Sequence, residues 1–363
     1  MLLAQPGSDV DQLIRLGDGG RVVGAGYATE KRQLELFDPE LRRLMDALRA
    51  ALPGTPLIEV VDASEDESRL LLIASSDVDP GKVYLFNKAT RQLSEVMPMR
   101  EELAGLAMGT MKPVSYPAAD GTMIPAYLTL PPGSDGTGLP AVVLPHGGPS
   151  ARDEWGFDWL VQYLVHRGYA VLQPNFRGSS GYGSAWFQQN GFQSWQTAVG
   201  DVNAAGRWLV ETGVARADRL AIVGWSYGGY AALQSPALEP DLFRAIVAIA
   251  PVTDLARLQE DARTYTSFRI VRDFIGTGPH VAAGSPARHA DGFRAPVLLF
   301  HGTVDENVDV GHSRSMAGAL RQAGKPVDYV EYAGLDHFID QPAKRTDMLQ
   351  RIDSFLSAMA PGT

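Results

Sequence analysis

Cysteine is absent from this 363-residue chain. Its absence excludes disulfide scaffolds, cysteine-ligated iron–sulfur clusters, zinc fingers and thiol catalysis. An excess of positive charge is missing too: 32 Lys and Arg stand against 42 Asp and Glu, a formal charge of −10. A field of that sign repels phosphate backbones and anionic lipid, so neither a nucleic-acid nor a membrane partner is expected. No apolar run reaches the ~18 residues of a membrane span. The start, Met1-Leu2-Leu3-Ala4-Gln5-Pro6, carries neither the basic flank nor the apolar stretch of a secretory signal, so a cytoplasmic protein is expected. What remains is an ordinary globular composition, 45% hydrophobic and 20% charged, in a chain long enough to bury a core without covalent staples.

Tryptophan is missing from the first 150 residues; all six lie between Trp155 and Trp225. The N-terminal third instead reads as short strands at 56–63, 69–75 and 82–87, rich in Val, Ile, Leu, Tyr and Phe between turn residues. One helix interrupts them. Asp38-Pro39 supplies an N-cap and a proline at the first helical position. Leu41, Leu44, Met45, Leu48 and Leu52 then recur at helical spacing, and Pro53-Gly54 stops the run. Two similar strands, ending near Phe37 and Phe86, stand 49 residues apart, about the span of one four-stranded propeller blade. About 110 residues hold only some two blades, and a closed ring needs about four to eight. Residues 1–110 are therefore expected to be a partial propeller remnant, serving as a partial cover or a self-association surface through which a homo-oligomer would form.

After residue 112 the pattern changes. A hairpin spans 113–130 with its turn at Ala119-Asp120-Gly121. Strand runs follow at 141–144, 169–173, 220–224, 245–249, 297–301 and 327–332, with helical segments that include 159–166, 204–211, 313–322 and 348–359. Alternation of this kind predicts an α/β fold with a mostly parallel sheet covered on both faces.

Gly224-Trp225-Ser226-Tyr227-Gly228 follows one of these strands and precedes a helix-forming run. That is the setting of a G-x-S-x-G nucleophile elbow, the mark of an α/β-hydrolase, in which glycines permit the sharp turn and the serine hydroxyl stands exposed at its tip. The helix start then offers the Tyr227 N–H to a developing oxyanion. A serine needs a base and an acid to orient that base, in the order Ser, acid, His. Asp305 and His337 each follow a strand through a short loop, where α/β sheets place their ligands. Glu306, Asp309 and Asp336 rival Asp305; Asp336, adjacent to His337, would point away from it in an extended segment. Among the other histidines, His301 precedes the acid and reads as a structural hydrogen-bonding residue, and His166, His280, His289 and His312 read as surface. Pro145-His146-Gly147-Gly148-Pro149 closes another strand and can give a second oxyanion donor, Gly148 N–H first and Gly147 next. Neither metal nor cofactor is expected: Asp305, Asn307 and Asp309 imitate a calcium loop whose last position is Met316, and no nucleotide-binding or zinc motif is present.

With Asp120-Gly121-Thr122, His146-Gly147-Gly148-Pro149, Asn175-Phe176-Arg177-Gly178, Gly181-Tyr182-Gly183, Gly224 to Tyr230, His301 to Asp305 and Gly334 to His337 in place, residues 111–363 resemble the catalytic domain of the prolyl oligopeptidase family of serine peptidases, in particular its acylaminoacyl-peptidase-like branch. The resemblance implies Ser226, Asp305 and His337 as a triad, with the Tyr227 amide in the oxyanion hole. It also brings Asn307 close to substrate, and Trp225, beside the serine, is expected there too. A cofactor-free serine hydrolase cleaving short peptides or acylated amino acids is the expectation. A carboxylesterase for small esters, or an interaction protein on a hydrolase scaffold, is the alternative. The family's complete propeller and the acidic pair that grips a free amino terminus in its dipeptidyl peptidase branch are not recognisable here, so that specificity is not carried over.

Overall fold

Alternation of apolar and polar residues at period two makes strands, and the first third of the chain is built from them. In the computed structural model, which describes residues 3–17, 20–188 and 190–359, β1 (Val10–Leu16), β2 (Arg21–Ala28) and β3 (Arg32–Leu36) form an antiparallel meander. Helix α1 (Pro39–Ala51) follows. The Asp38 carboxylate caps it by accepting the N–H groups of Glu40 and Leu41, and Leu41, Met45 and Leu48 line its buried face. A second, four-stranded meander comprises β4 (Leu57–Ala63), β5 (Arg69–Ser75), β6 (Lys82–Asn87) and β7 (Gln92–Pro98). Leu16, Leu36, Met45, Leu70, Leu72 and Phe86 close one core between the two sheets and the helix. The strands that echo one another in sequence, β3 and β6, are each third in their meander. After β3 the chain enters α1, whereas after β6 it adds a fourth strand.

The larger sheet has eight strands: β8 (Met111–Pro117), β9 (Met123–Thr129), β10 (Leu139–Val143), β11 (Ala170–Pro174), β12 (Ala215–Trp225), β13 (Ala245–Ile249), β14 (Val297–Gly302) and β15 (Val327–Tyr332). Their order is β15-β14-β13-β12-β10-β11-β9-β8; β8 and β9 pair antiparallel with their neighbours and the rest run parallel. Between and after them come α2 (Trp159–His166), α3 (Ser184–Phe187), α4 (Asn190–Gln193), α5 (Trp195–Glu211) and α6 (Tyr227–Gln234). The remaining helices are α7 (Leu255–Asp261), α8 (Phe268–Ile275), α9 (Pro279–Ala283), α10 (Gly311–Gln322) and α11 (Pro342–Ser357). Successive residues of a central strand serve opposite faces. Ala221 and Val223 of β12 pack with α2 and α11, while Leu220 and Ile222 pack with α5, α6 and α10. Every central strand is thus covered twice, which is why these strands read as unbroken apolar runs.

Three boundaries differ from the sequence expectation by five residues or more, one of them the start of α11, at Pro342 and not at 348. Helix α5 starts at Trp195, ahead of the expected 204, because its first half buries polar residues that break the apolar period: Asp201 is 1% exposed and receives Arg177 Nε and Nη2 at 2.8 and 2.7 Å. Strand β12 begins at Ala215, through a charged stretch that pairs at Leu139 before the apolar run begins.

Candidate active site

Strand β12 passes into α6 through Ser226, whose backbone lies at φ 58°, ψ −119°. Few L-residues adopt that region, and a non-glycine there is held by its surroundings. The Ser226 N–H donates to Ile249 O at 2.8 Å, and Ser226 O accepts the Tyr230 N–H at 3.0 Å. Glycine is required on both sides. A Cβ at Gly224 would overlap the Gly228 carbonyl, and one at Gly228 would overlap the Pro145 carbonyl. Tyr227 opens α6, so its N–H belongs to the helix's unpartnered first turn. Its ring is buried beside Phe176, Phe192 and Tyr230, and its hydroxyl donates to Gly191 O at 2.8 Å.

The loop after β10 runs alongside. A Cβ built on Gly147 would stand 3.6 Å from Ser226 Cβ and 3.4 Å from Trp225 O, so the peptide joining Gly147 to Gly148 passes beside the serine. Gly148 has φ +118°, a conformation L side chains rarely adopt. His146 anchors this loop: its ring stacks on Phe176 at 4.4 Å and Nε2 lies 2.8 Å from Ser179 Oγ. Burial pushes its imidazole down to about 4, so it is neutral at physiological pH.

Asp305 and His337 meet from the loops after β14 and β15. His337 Nδ1 lies 2.7 Å from Asp305 Oδ2, with the residues 6% and 7% exposed. Asp305 Oδ1 accepts the N–H groups of Asn307 and Val308 at 2.8 and 2.9 Å. Burial alone would raise the carboxyl; the bonds from His301, His337 and the Val308 N–H outweigh it and hold the group below the usual carboxylate range. The imidazole is therefore oriented by a carboxylate that stays ionised. The Trp225 indole donates to His337 O at 2.9 Å, bonding the residue before Ser226 to the histidine itself. Arg345 Nη2 donates to Phe338 O at 2.9 Å and steadies the next residue.

Trp225 also meets Trp159 edge-on at 6.4 Å, so its side chain joins the elbow to the histidine loop. Asn307 is exposed at the mouth of the Asp305 loop, and Asp336 is exposed with its carboxylate capping the Phe338 N–H. One expectation is corrected. His312 is fully buried and not a surface residue: Nδ1 accepts the Thr253 N–H at 3.0 Å and Nε2 lies 3.4 Å from Asp261. Its spacing with Met316 and Leu320, both on the buried face of α10, was the available signal. His301 is fully buried as well, with Nε2 at 3.2 Å from Asp305 Oδ2, a contact that its place before the acid did not suggest.

Comparison with known proteins places this geometry. A profile of the prolyl oligopeptidase family matches residues 155–362. Dipeptidyl aminopeptidase BIII of Pseudoxanthomonas mexicana is 29% identical over 360 aligned positions, covering 94% of this chain and 52% of that protein. The human acylamino-acid-releasing enzyme is 27% identical over 243 positions, 64% of this chain and 32% of that one. A puromycin-hydrolyzing peptidase of Mycobacterium tuberculosis superposes with a TM-score of 0.79 at 25% identity, over 95% of this chain and 53% of that chain. The acylaminoacyl peptidase of Pyrococcus horikoshii shares the fold, with a TM-score of 0.74 at 19% identity, over 92% of this chain and 54% of its own. The chain spans about half the length of these longer relatives or less. Its elbow, its Asp305–His337 pair and the profile match over more than half its length make it a member of the prolyl oligopeptidase family.

Proposed function

We propose that the chain is a cofactor-free serine peptidase acting on short peptides. Ser226 Oγ attacks the scissile carbonyl while His337 Nε2 takes its proton. Asp305 holds the imidazole in the tautomer that leaves Nε2 free to accept, and stabilises the imidazolium that forms. The Tyr227 N–H and the Gly148 N–H stand ready for the oxyanion. His337 then protonates the leaving amine, and water, activated by the same histidine, releases the acyl group. The observation that carries this reading is the 2.7 Å bond between His337 and an Asp305 held ionised, tied through Trp225 to the strained Ser226.

Residues 1–110 belong to the proposal as a partial propeller unit laid on a hydrolase unit of residues 111–363. In its support, β7 ends at Pro98 and the large sheet opens at Met111. The two units are stapled beside the site. Asp9 Oδ2 accepts the N–H groups of Gly181 and Gly183 at 3.2 Å, and Arg32 pairs with Glu154. Arg152 donates to Ala28 O and Thr29 O at 3.3 and 3.1 Å.

Paired assays of peptidyl p-nitroanilides and p-nitrophenyl acyl esters on one preparation, with Ser226→Ala alongside, test the reading. Wild type should cleave the anilides and Ser226→Ala should lose about 10⁶ in kcat with an unchanged melting temperature. Turnover of esters alone would make the chain an esterase. Activity of Ser226→Ala within about tenfold of wild type would refute the mechanism.

A further inference from the structure

The acid of the proposed triad is shared between two imidazoles. His301, at the end of β14, is fully buried and places Nε2 2.8 Å from Val308 O and 3.2 Å from Asp305 Oδ2. A carbonyl can only accept, so the Nε2 proton is assigned to His301, where it is shared between that carbonyl and the carboxylate. Nδ1 is then bare and accepts the Ser313 hydroxyl from α10 at 2.7 Å. Asp305 thus accepts the N–H groups of Asn307 and Val308 on Oδ1 and of His337 on Oδ2, and His301 Nε2 makes a fourth, longer contact with Oδ2 at 3.2 Å. The backbone donors fix one oxygen, and His301 fixes the side from which the other can be approached.

We infer that His301 is a positioning residue for the reaction, acting through Asp305. Anchored by Ser313, it holds the carboxylate in the one orientation that serves His337 and draws off part of its basicity. The inference rests on the serine-hydrolase reading and adds to it a second histidine that touches neither substrate nor the reacting atoms. Two consequences follow from the geometry. Without the second contact Oδ2 is held by His337 alone, so the carboxylate can tilt about the Oδ1 that its backbone donors fix, and fewer molecules present His337 correctly at any moment. A carboxylate relieved of one donor also binds the imidazolium proton of His337 more tightly, which keeps the base protonated to higher pH.

The neighbouring charges do not imitate this effect. Glu331, opposite His301 on β15, is paired with Arg314 of α10 at 2.8 Å and held at about 2, so it is ionised throughout the working range. His312, on the same helix, is pushed down by burial and faces Asp261. Glu306 and Asp309, on the Asp305 loop, are exposed.

The test is the rate of fluorophosphonate labelling of the full chain between about pH 4.5 and 9, with melting temperatures recorded in parallel. Labelling needs the triad but no knowledge of the natural substrate. His301→Leu should label about tenfold more slowly or worse, with the acidic limb of its profile displaced upward by about half a unit or more. His301→Gln, whose amide N–H can replace the Nε2 donor, should recover much of the rate. Ser313→Ala, which frees the imidazole to rotate, should move the limb in the same direction by less. A limb that stays in place in all three variants, with rates within about twofold of wild type, overturns the inference and leaves His301 a packing residue, even if the melting temperatures fall. If His301→Leu does not fold, an unmoved limb in both His301→Gln and Ser313→Ala has the same force. A wild type that does not label at all overturns the hydrolase reading itself, and this inference with it.

Discussion

Asp305 and Asp153 are carboxyls in opposite circumstances. Asp305 has donors on both oxygens and is held low; an amide in its place can accept from the backbone but turns N–H toward His337 Nδ1. Asp305→Asn should therefore force the wrong imidazole tautomer and lower kcat by about 10⁴, with a fall in melting temperature as the buried ionised acceptor is lost. Asp153 is only half-buried as a residue, yet its Oδ2 is sealed from solvent with no hydrogen-bond partner among the described residues. Burial first, and the nearby Asp158 second, push this carboxyl up to about 8. The unfolded chain loses that proton near pH ~3.9, so between there and pH 8 only the folded state holds it. On account of this group, stability is highest below the unfolded value, declines as pH rises through the window, and reaches its lowest level above 8. Asp153→Asn should remove that slope. Urea unfolding at pH 9 should find the variant more stable than wild type by on the order of a few kcal/mol, with the gap closing toward pH 5. Ser226, Asp305 and His337 could be proposed from the sequence because each follows an apolar strand through a short turn or loop. His301 could be read as a structural hydrogen-bonding residue, but its contact with Asp305 and the burial of Asp153 could not, because a buried polar group is defined by the partners the fold brings to it.

Elements carry their function through backbone fit. The elbow is a place where three backbones touch: β12, the start of α6 and the loop after β10. Gly228→Ala would drive a methyl group into the Pro145 carbonyl and displace the loop that bears Gly147 and Gly148. A loss of about 1–3 kcal/mol by urea unfolding is expected, together with a fall in labelling rate larger than Tyr227 or Ser226 packing could explain. An unchanged variant would mean that the Gly147–Gly148 loop yields freely and contributes no fixed donor. At this scale the sequence was legible where the apolar pattern alone decides an element, as an unbroken run or as a helical face. Strand Ala245–Ile249 and helix Trp159–His166 begin and end where their apolar patterns do. Legibility failed where polar groups are buried, as in the first half of α5. It failed also in β1 and β7, whose residues are mostly exposed and so carry no strong alternation. The third-strand position shared by β3 and β6 was visible only as an echo, because a meander's strand count depends on pairing and not on composition.

Across the whole molecule, the N-terminal sheets and the segment after Gly148 are joined as one hydrogen-bonded unit. Arg152 follows Gly148 by four residues, stacks on the Tyr182 ring at 4.2 Å, and reaches the β2–β3 turn through Ala28 O and Thr29 O. Arg152→Ala should cost about 1–3 kcal/mol in stability and should slow acylation more than it weakens binding, seen as a fall in kcat with KM little changed. A loss confined to stability would mean that the N-terminal region merely rests on the hydrolase unit. The placing of the indoles gives this unit its own reporters. Trp155 lies at the joint, with Lys31 3.6 Å above its ring and its Nε1 donating to Met111 O at 3.0 Å. Trp159 and Trp225 lie at the histidine loop, and the first 150 residues contribute no tryptophan. Near-ultraviolet circular dichroism, which needs fixed aromatic surroundings, therefore records the joint and the histidine loop in one spectrum, alongside Trp186, Trp195 and Trp208. The difference between wild type and Trp155→Phe isolates the joint's signal, and that between wild type and Trp159→Phe a signal of the histidine loop, so the order in which the two parts loosen on heating can be followed without attaching any label.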